Sequence, residues 1–324
     1  MMLYLISLLL LLSNEYYGQA EFTSHFNNFL KRNYGMNTQG NLERLDMGLS
    51  LWGSFGGKMN ENDPINKRPV LFVHGAFSRA AVFLKHREYF IYKGYSWSEL
   101  YATSYGDGVN SAIFDGVHCK YVKQACKQYR NIHIFSIRQM LLAVNYYTGK
   151  TVDIIAHSMG SAVSRKAILG SFCFDTGELL GPPLTQLVNT FITVGGANHG
   201  LQICPSTVSL CGNISSLHCN SKLMKELNSQ SHRFEGRSSY DIHSLGDSII
   251  GLNCCNKTCG ALPNHNASFE VTDLDHFALL SQTIMLQLSL LRQTDEQNGN
   301  SITRMDEIDS EDDTIIDYGD KQYI

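Results

Sequence analysis

The sequence predicts an α/β protein, a mostly parallel sheet with helices on both faces. Three observations carry that expectation. Short β-branched and aromatic runs recur as "VLFVHG" (70–75), "TVDIIA" (151–156) and "TFITVGG" (190–196). Helical periodicity lies between and after them, and the resulting strand–helix–strand–helix–strand order is that of a parallel sheet covered on both sides. The chain has 324 residues, 43% hydrophobic and 17% charged. It can therefore bury a core of one large or two small domains, and disorder is not its default.

Taken in order, Met1 to Leu12 is nearly all apolar and is followed by polar "SNEYYGQA", with Gly18 and Ala20 as a small-x-small pair. This reads as a signal peptide over 1–20, cut after Ala20. A spanning anchor is disfavoured because the run is about 12 residues, against the roughly 18 to 20 that a bilayer requires. No later segment is apolar enough to span. Phe22 to Lys67 is mixed and Gly/Asn-rich, with "GSFGGK" (53–58) as a loop, and Pro69 precedes the first strand.

Between the first two strands, Ile137, Met140, Leu141, Val144 and Tyr147 fall at helical spacing, with Gly149 as the stop. After the second, Ala162, Val163, Ala167 and Ile168 continue as a helix toward Gly170. Beyond about Leu291 hydrophobic periodicity ends, and Asp306 to Asp320 carries eight acidic residues. The sequence thus divides into a leader, one folded domain over 21–291 and a solvated acidic tail over 292–324.

The candidate chemistry lies at the junction of the second strand and the helix after it, "AHSMG". In an open parallel sheet, ligands bind at the carboxyl ends of the strands, where a residue on a strand-to-helix turn projects into the crevice. Ala156 and Gly160 flank Ser158 by two on each side, as a tight nucleophile turn requires. A buried turn serine is the bland alternative. The Met159 amide sits at the helix N-terminus, where unpaired N–H groups and the helix dipole favour a developing oxyanion. The loop after the first strand supplies a second donor, the amide of Ala76 after His74-Gly75. His74 itself reads as structural.

Serine is a weak nucleophile, so a carboxylate and then a histidine are expected downstream. "YDIHSLGDSIIG" presents Asp247 on a loop after a strand-like run, and "FEVTDLDHFALL" places His276 at a strand-to-helix loop. Asp241, Asp273 and Asp275 compete for the carboxylate, and His243 or His265 for the base. Asp273 and Asp275 are so near His276 along the chain that they read better as helix caps, and Asp153 as an anchor of the nucleophile strand.

Seven of the nine cysteines fall after residue 170, which predicts disulfide-stapled loops in an oxidising compartment. "CCNKTC" has no second pair at zinc spacing, so no metal is assigned. The sequons at Asn213, Asn256 and Asn266 are glycosylation candidates if the chain is exported. A net charge of −4 gives no reason to expect nucleic acid as partner.

"GSFGGK", "PVLFVHGAFS", "YTGKTVDIIAHSMGSAVSRKAILG", "VGGANHG", "SLGDSIIG" and "DHFALLSQT" together resemble the class 2 (EstA-type) lipase family, in particular its secreted roundworm branch, from about Phe22 to Leu290. The resemblance implies an α/β-hydrolase fold and ester hydrolysis on lipid-like acyl chains. It maps the family's elbow onto Ala156 to Gly160, its acid onto Asp247 and its base onto His276. One departure is visible. "ACKQYRNIHIFS" (125–136), which contains Cys126, stands between stretches that are contiguous in the family, as a lineage-specific insertion or an error in the gene model.

The expectation is therefore a secreted, extracellular serine carboxylic-ester hydrolase of the triacylglycerol lipase type, with no cofactor, no transmembrane span and no implied protein partner. The expected partner is a lipid or other acyl-ester substrate, which a lipase would meet at a lipid–water interface. The alternatives are a catalytically lapsed lipid-binding protein on the same scaffold, or a short-chain esterase or thioesterase.

Overall fold

The computed structural model describes residues 21–47, 53–106, 117, 133–205, 209–211 and 216–296. The leader (1–20), Cys126 with most of the 125–136 stretch, Asn213 and the tail beyond 296 lie outside the described residues. Six parallel strands form the central sheet: β1 (Val70–Val73), β2 (Leu100–Ala102), β3 (Val152–His157), β6 (Val188–Val194), β7 (Ser238–Ser244) and β10 (Ala267–Val271). Their order is β10-β7-β6-β3-β1-β2, and every pairing is parallel. Two short antiparallel hairpins complete the strands among the described residues, β4 (Ser171–Phe172) with β5 (Leu179–Gly181) and β8 (Asn253–Cys254) with β9 (Lys257–Thr258).

Alternation along the strands sorts side chains to two cores. Leu71, Val73, Ile154 and Ala156 face one side. There they meet α1 (Ser24–Glu43), α3 (Ile134–Thr148) and α4 (Met159–Leu169) through Phe26, Leu30, Met140, Leu141, Ala162 and Val163. Val70, Phe72, Ile155, Ile192 and Ile242 face the other. They pack under α2 (Leu84–Tyr92), α6 (His276–Gln282) and α7 (Ile284–Glu296) through Phe90, Leu279, Leu280, Leu288 and Leu291. A short helix α5 (Lys222–Asn228) lies against α4. Strands buried on both faces explain why the sequence shows apolar runs there rather than alternation.

The helix expected before the nucleophile strand is α3, closed by Gly149 at φ 66°, ψ 16°. Ile134 to Ser136 form its first turn. The "GSFGGK" loop is tied to the sheet edge, with Phe55 and Ala102 exchanging both backbone hydrogen bonds at 2.9 Å. Strand β2 gave no sequence signal because three residues at a sheet edge are too short to establish a pattern. Residues 292–296, expected in the tail, are the last turns of α7. Disulfides join Cys204 to Cys211, Cys219 to Cys255 and Cys254 to Cys259, and Cys173 is disulfide-bonded as well. Among the described residues no helix is long and apolar enough to cross a membrane.

Candidate active site

Ser158 joins β3 to α4 in a backbone conformation that L-residues seldom adopt, φ 56° and ψ −128°. The surroundings hold it there. Its N–H donates to the Val194 carbonyl at 3.2 Å, and its own carbonyl accepts from the Ala197 amide at 3.2 Å and from Ser161 Oγ at 2.7 Å. Gly160 is required by contact, since a Cβ there would lie 2.4 Å from the His74 carbonyl oxygen and 2.7 Å from that of Val73. Helix α4 can therefore leave the sheet directly above β1 only with no side chain at this position.

A Cβ on Gly75 would fall 2.7 Å from Ser158 Cβ, so the loop after β1 passes immediately beside the nucleophile candidate. That loop turns through Phe77 at φ 58°. The amides of Ala76 and Met159 make no backbone hydrogen bond among the described residues. His74 is buried and structural. Its Nε2 accepts from the Tyr105 amide at 3.1 Å, so Nδ1 carries the proton and donates to the Gly75 carbonyl at 2.8 Å. Burial pushes its pKa down to about 4.

The carboxylate and the imidazole expected from sequence meet. Asp247 Oδ2 lies 2.7 Å from His276 Nδ1, and both side chains are buried. Asp247 Oδ1 accepts from the amides of Ile249 and Ile250, each at 3.0 Å. Burial by itself would raise the Asp247 pKa; the His276 hydrogen bond and charge and these two amides outweigh it and leave it below the usual carboxylate value. Gly195, at φ 51°, lies under the pair, and a Cβ there would be 3.1 Å from both Asp247 Oδ2 and His276 Nδ1. The segment that seats the Asp247–His276 pair thus runs on to Ala197, whose amide holds Ser158.

The competing residues have other partners. Asp275 caps α6 by accepting from the amides of Phe277 and Ala278 at 2.9 and 2.8 Å. Among the described residues Asp273 accepts only from the neighbouring Thr272 hydroxyl, at 3.1 Å, and is not a cap. Asp241 does pair with His243, Oδ1 to Nδ1 at 2.9 Å, but it also accepts from the Leu262 amide and from Ser268 Oγ. That network joins β7 to the β10 edge, with His243 Nε2 3.5 Å from Glu270 and His265 Nδ1 3.4 Å from Asp241. Asp153 accepts the Thr190 amide at 3.0 Å, anchoring β3 to β6. Asn256 is exposed at the β8–β9 turn, and Asn266 is exposed with its side-chain oxygen accepting from the Ser239 amide.

Two contributors escaped the sequence reading. Gly195 was signalled only as part of "VGG" after a strand. His157, the last residue of β3, is buried, and its ring lies 4.5 Å from that of His276. A histidine inside an apolar run carries no sign of what it touches. Among the described residues no group of three or more His, Cys, Asp or Glu side chains is arranged to hold a metal ion.

The chain matches the family described as Lipase (class 2) over residues 67–289. It is similar to the Bacillus licheniformis lipase BlEst2 in its propeptide form, with TM-score 0.50 and 15% identity, over 78% of this chain and 55% of that one. For the mature form the figures are 0.49 and 16%, over 74% and 97%. A Paleococcus ferrophilus monoacylglycerol lipase is similar with TM-score 0.43 and 11% identity, over 75% and 98%. No curated protein sequence matches significantly. With its six-stranded parallel sheet, the chain has the α/β-hydrolase fold.

Proposed function

The chain belongs to the class 2 lipase family, and from that premise we propose that it is a secreted triacylglycerol lipase acting through Ser158, His276 and Asp247. The observation that carries this reading is the Asp247–His276 pair, seated on the segment that also holds the strained Ser158 turn. In the proposed cycle, His276 Nε2 takes the Ser158 proton as Oγ attacks the ester carbonyl, while Asp247 keeps the proton on Nδ1 and balances the imidazolium. The amides of Ala76 and Met159 receive the oxyanion. The alcohol leaves with a proton from His276, and water activated by the same ring releases the acid from the acyl-enzyme. No hydrogen bond joins Ser158 Oγ to His276 in this state, and the bond is expected to form when substrate is bound.

A lipid substrate is favoured over a small soluble ester by the surface around the site. Because all six strands run parallel, the loops after them gather at one end of the sheet. Those loops and the start of α6 expose Phe77, Ile203, Leu245, Ile249, Leu252 and Phe277. Clustered exposed apolar side chains mark contact with an apolar partner. Three disulfides fit an oxidising compartment; the proposal further has the mature chain start at Glu21 and carry glycan on one or more of Asn213, Asn256 and Asn266.

The test is a chain-length panel of nitrophenyl esters with emulsified triglyceride, run on the mature protein and on Ser158→Ala. Long-chain hydrolysis abolished by the substitution supports the reading. Hydrolysis of short soluble esters alone makes it an esterase, and lipid binding without turnover makes it a lapsed enzyme.

A further inference from the structure

His157 adjoins both residues of the proposed proton transfer. It precedes Ser158 directly, and its ring Nε2 lies 3.2 Å from the backbone carbonyl oxygen of His276. A carbonyl only accepts, so Nε2 carries the proton and Nδ1 is a bare lone pair. Nδ1 is buried without a hydrogen-bond partner, against Gly75, where a Cβ would come within 3.3 Å of it. The faces of the two imidazoles are tilted by 35° at a centroid distance of 4.5 Å.

We propose that His157 is a positioning residue for His276: its Nε2–H bond to the His276 carbonyl and the packing of the two rings fix the imidazole relative to Ser158. The inference rests on the reading of His276 as the base. The physical reason is one of reach. Asp247 holds His276 through Nδ1 alone, which leaves the ring free to swing about that bond. A second contact, from the residue bonded to the nucleophile, removes that freedom and makes the Ser158–His276 separation insensitive to movement of the β7 loop. His157 suits this place because it is neutral. Burial, then the charge of His276, hold its pKa down at about 3, with Asp247 and His86 the other charged or titratable groups facing it. It therefore neither competes for the Ser158 proton nor opposes imidazolium at His276.

The experiment compares His157→Phe, which keeps a flat ring and loses the donor, with His157→Gln, whose amide nitrogen reaches about as far as Nε2. Two readouts are taken: kcat and KM on a nitrophenyl ester, and the far-downfield proton NMR signal of the His276 Nδ1–H bonded to Asp247. His157→Phe is expected to lower kcat about 10- to 100-fold with KM within about twofold, and to broaden the proton signal by faster exchange; His157→Gln is expected to recover most of both. A folded His157→Phe protein with wild-type kcat and an unchanged signal overturns the proposal, as does a His157→Gln protein no better than His157→Phe. If His157→Phe does not fold, His157→Gln decides by itself: kcat and signal near wild type support the donor role, and a loss in both overturns it. Should the wild type hydrolyse no ester, the functional reading fails, while the proton signal still tests the link between His157 and His276.

Discussion

Asp247 Oδ2 sits 2.7 Å from His276 Nδ1, joining the loop after β7 to the first residue of α6, 29 positions further along the chain. An amide in place of that carboxylate would stabilise the wrong imidazole tautomer and could not balance imidazolium. Asp247→Asn is therefore expected to lower turnover by about 10³- to 10⁴-fold with little change in Tm. Ser158→Ala and His276→Ala should each cost about 10³-fold or more, and the double substitution little beyond either. Steady-state kinetics with folding checked by circular dichroism decides; an active Asp247→Asn alongside a crippled Asp275→Asn would move the acid to Asp275.

The two aspartates before His276 should separate by stability. Asp275 receives two helix N-terminal amides and Asp273 receives none. Asp275→Ala is expected to cost about 0.5 to 2 kcal/mol in urea unfolding, and Asp273→Ala within about 0.5 kcal/mol of nothing.

Two glycines should fail in different ways. At Gly160 an added methyl meets two backbone carbonyls that cannot move aside, so Gly160→Ala should destabilise by about 1 to 3 kcal/mol or more. At Gly195 it meets Asp247 and His276 side chains, so Gly195→Ala should lose turnover out of proportion to its change in Tm. Thermal unfolding and kcat measured on both variants make the comparison.

Acid should destabilise the fold above the carboxylate range. His74 and His86 are held at about 4 and His157 at about 3, below the ordinary value of 6.5, chiefly by burial. Between pH 6.5 and 4 the unfolded chain binds these protons and the native one does not, so stability falls as pH falls, by up to about 1.4 kcal/mol per unit for each ring. His243 opposes the trend. Its pKa is raised, first by the Asp241 hydrogen bond, so its contribution is complete below 6.5 and is lost as pH rises through its folded value. With His199, also lowered to about 4, first by burial, four rings against one leave a net loss toward acid in urea unfolding at pH 7, 6 and 5, and His86→Phe should make the dependence shallower.

The apolar rim should matter only for aggregated substrate. Ile203, on the loop after β6, is 75% exposed, and Phe277, in the first turn of α6, is 67% exposed. Ile203→Ser with Phe277→Ser is expected to lower hydrolysis of emulsified triglyceride several-fold and to leave that of a soluble short-chain ester unchanged. Equal losses on both substrates would make the rim structural.

The sequence by itself determined the alternation of buried strands and helices, and it marked the Ser158 turn, Asp247 and His276 as candidates in that order. Each is written in local chemistry: apolar runs, small residues two places from Ser158, and a carboxylate and an imidazole just past strand-like segments. What only the tertiary structure decided is which of several acids and histidines meet. "DIHSLGD" holds two aspartates and a histidine within seven residues, and Asp241 does find a histidine, but at the β7–β10 edge, away from Ser158. The reason is the register of β7. Asp241 lies within the strand and turns its side chain to β10, whereas Asp247 lies beyond the strand end, where the loop carries it over Gly195 to His276. The roles of Gly195 and His157 were hidden for the same reason. Both act through contacts with residues 52 to 119 positions away in the chain, and no local pattern records such a contact.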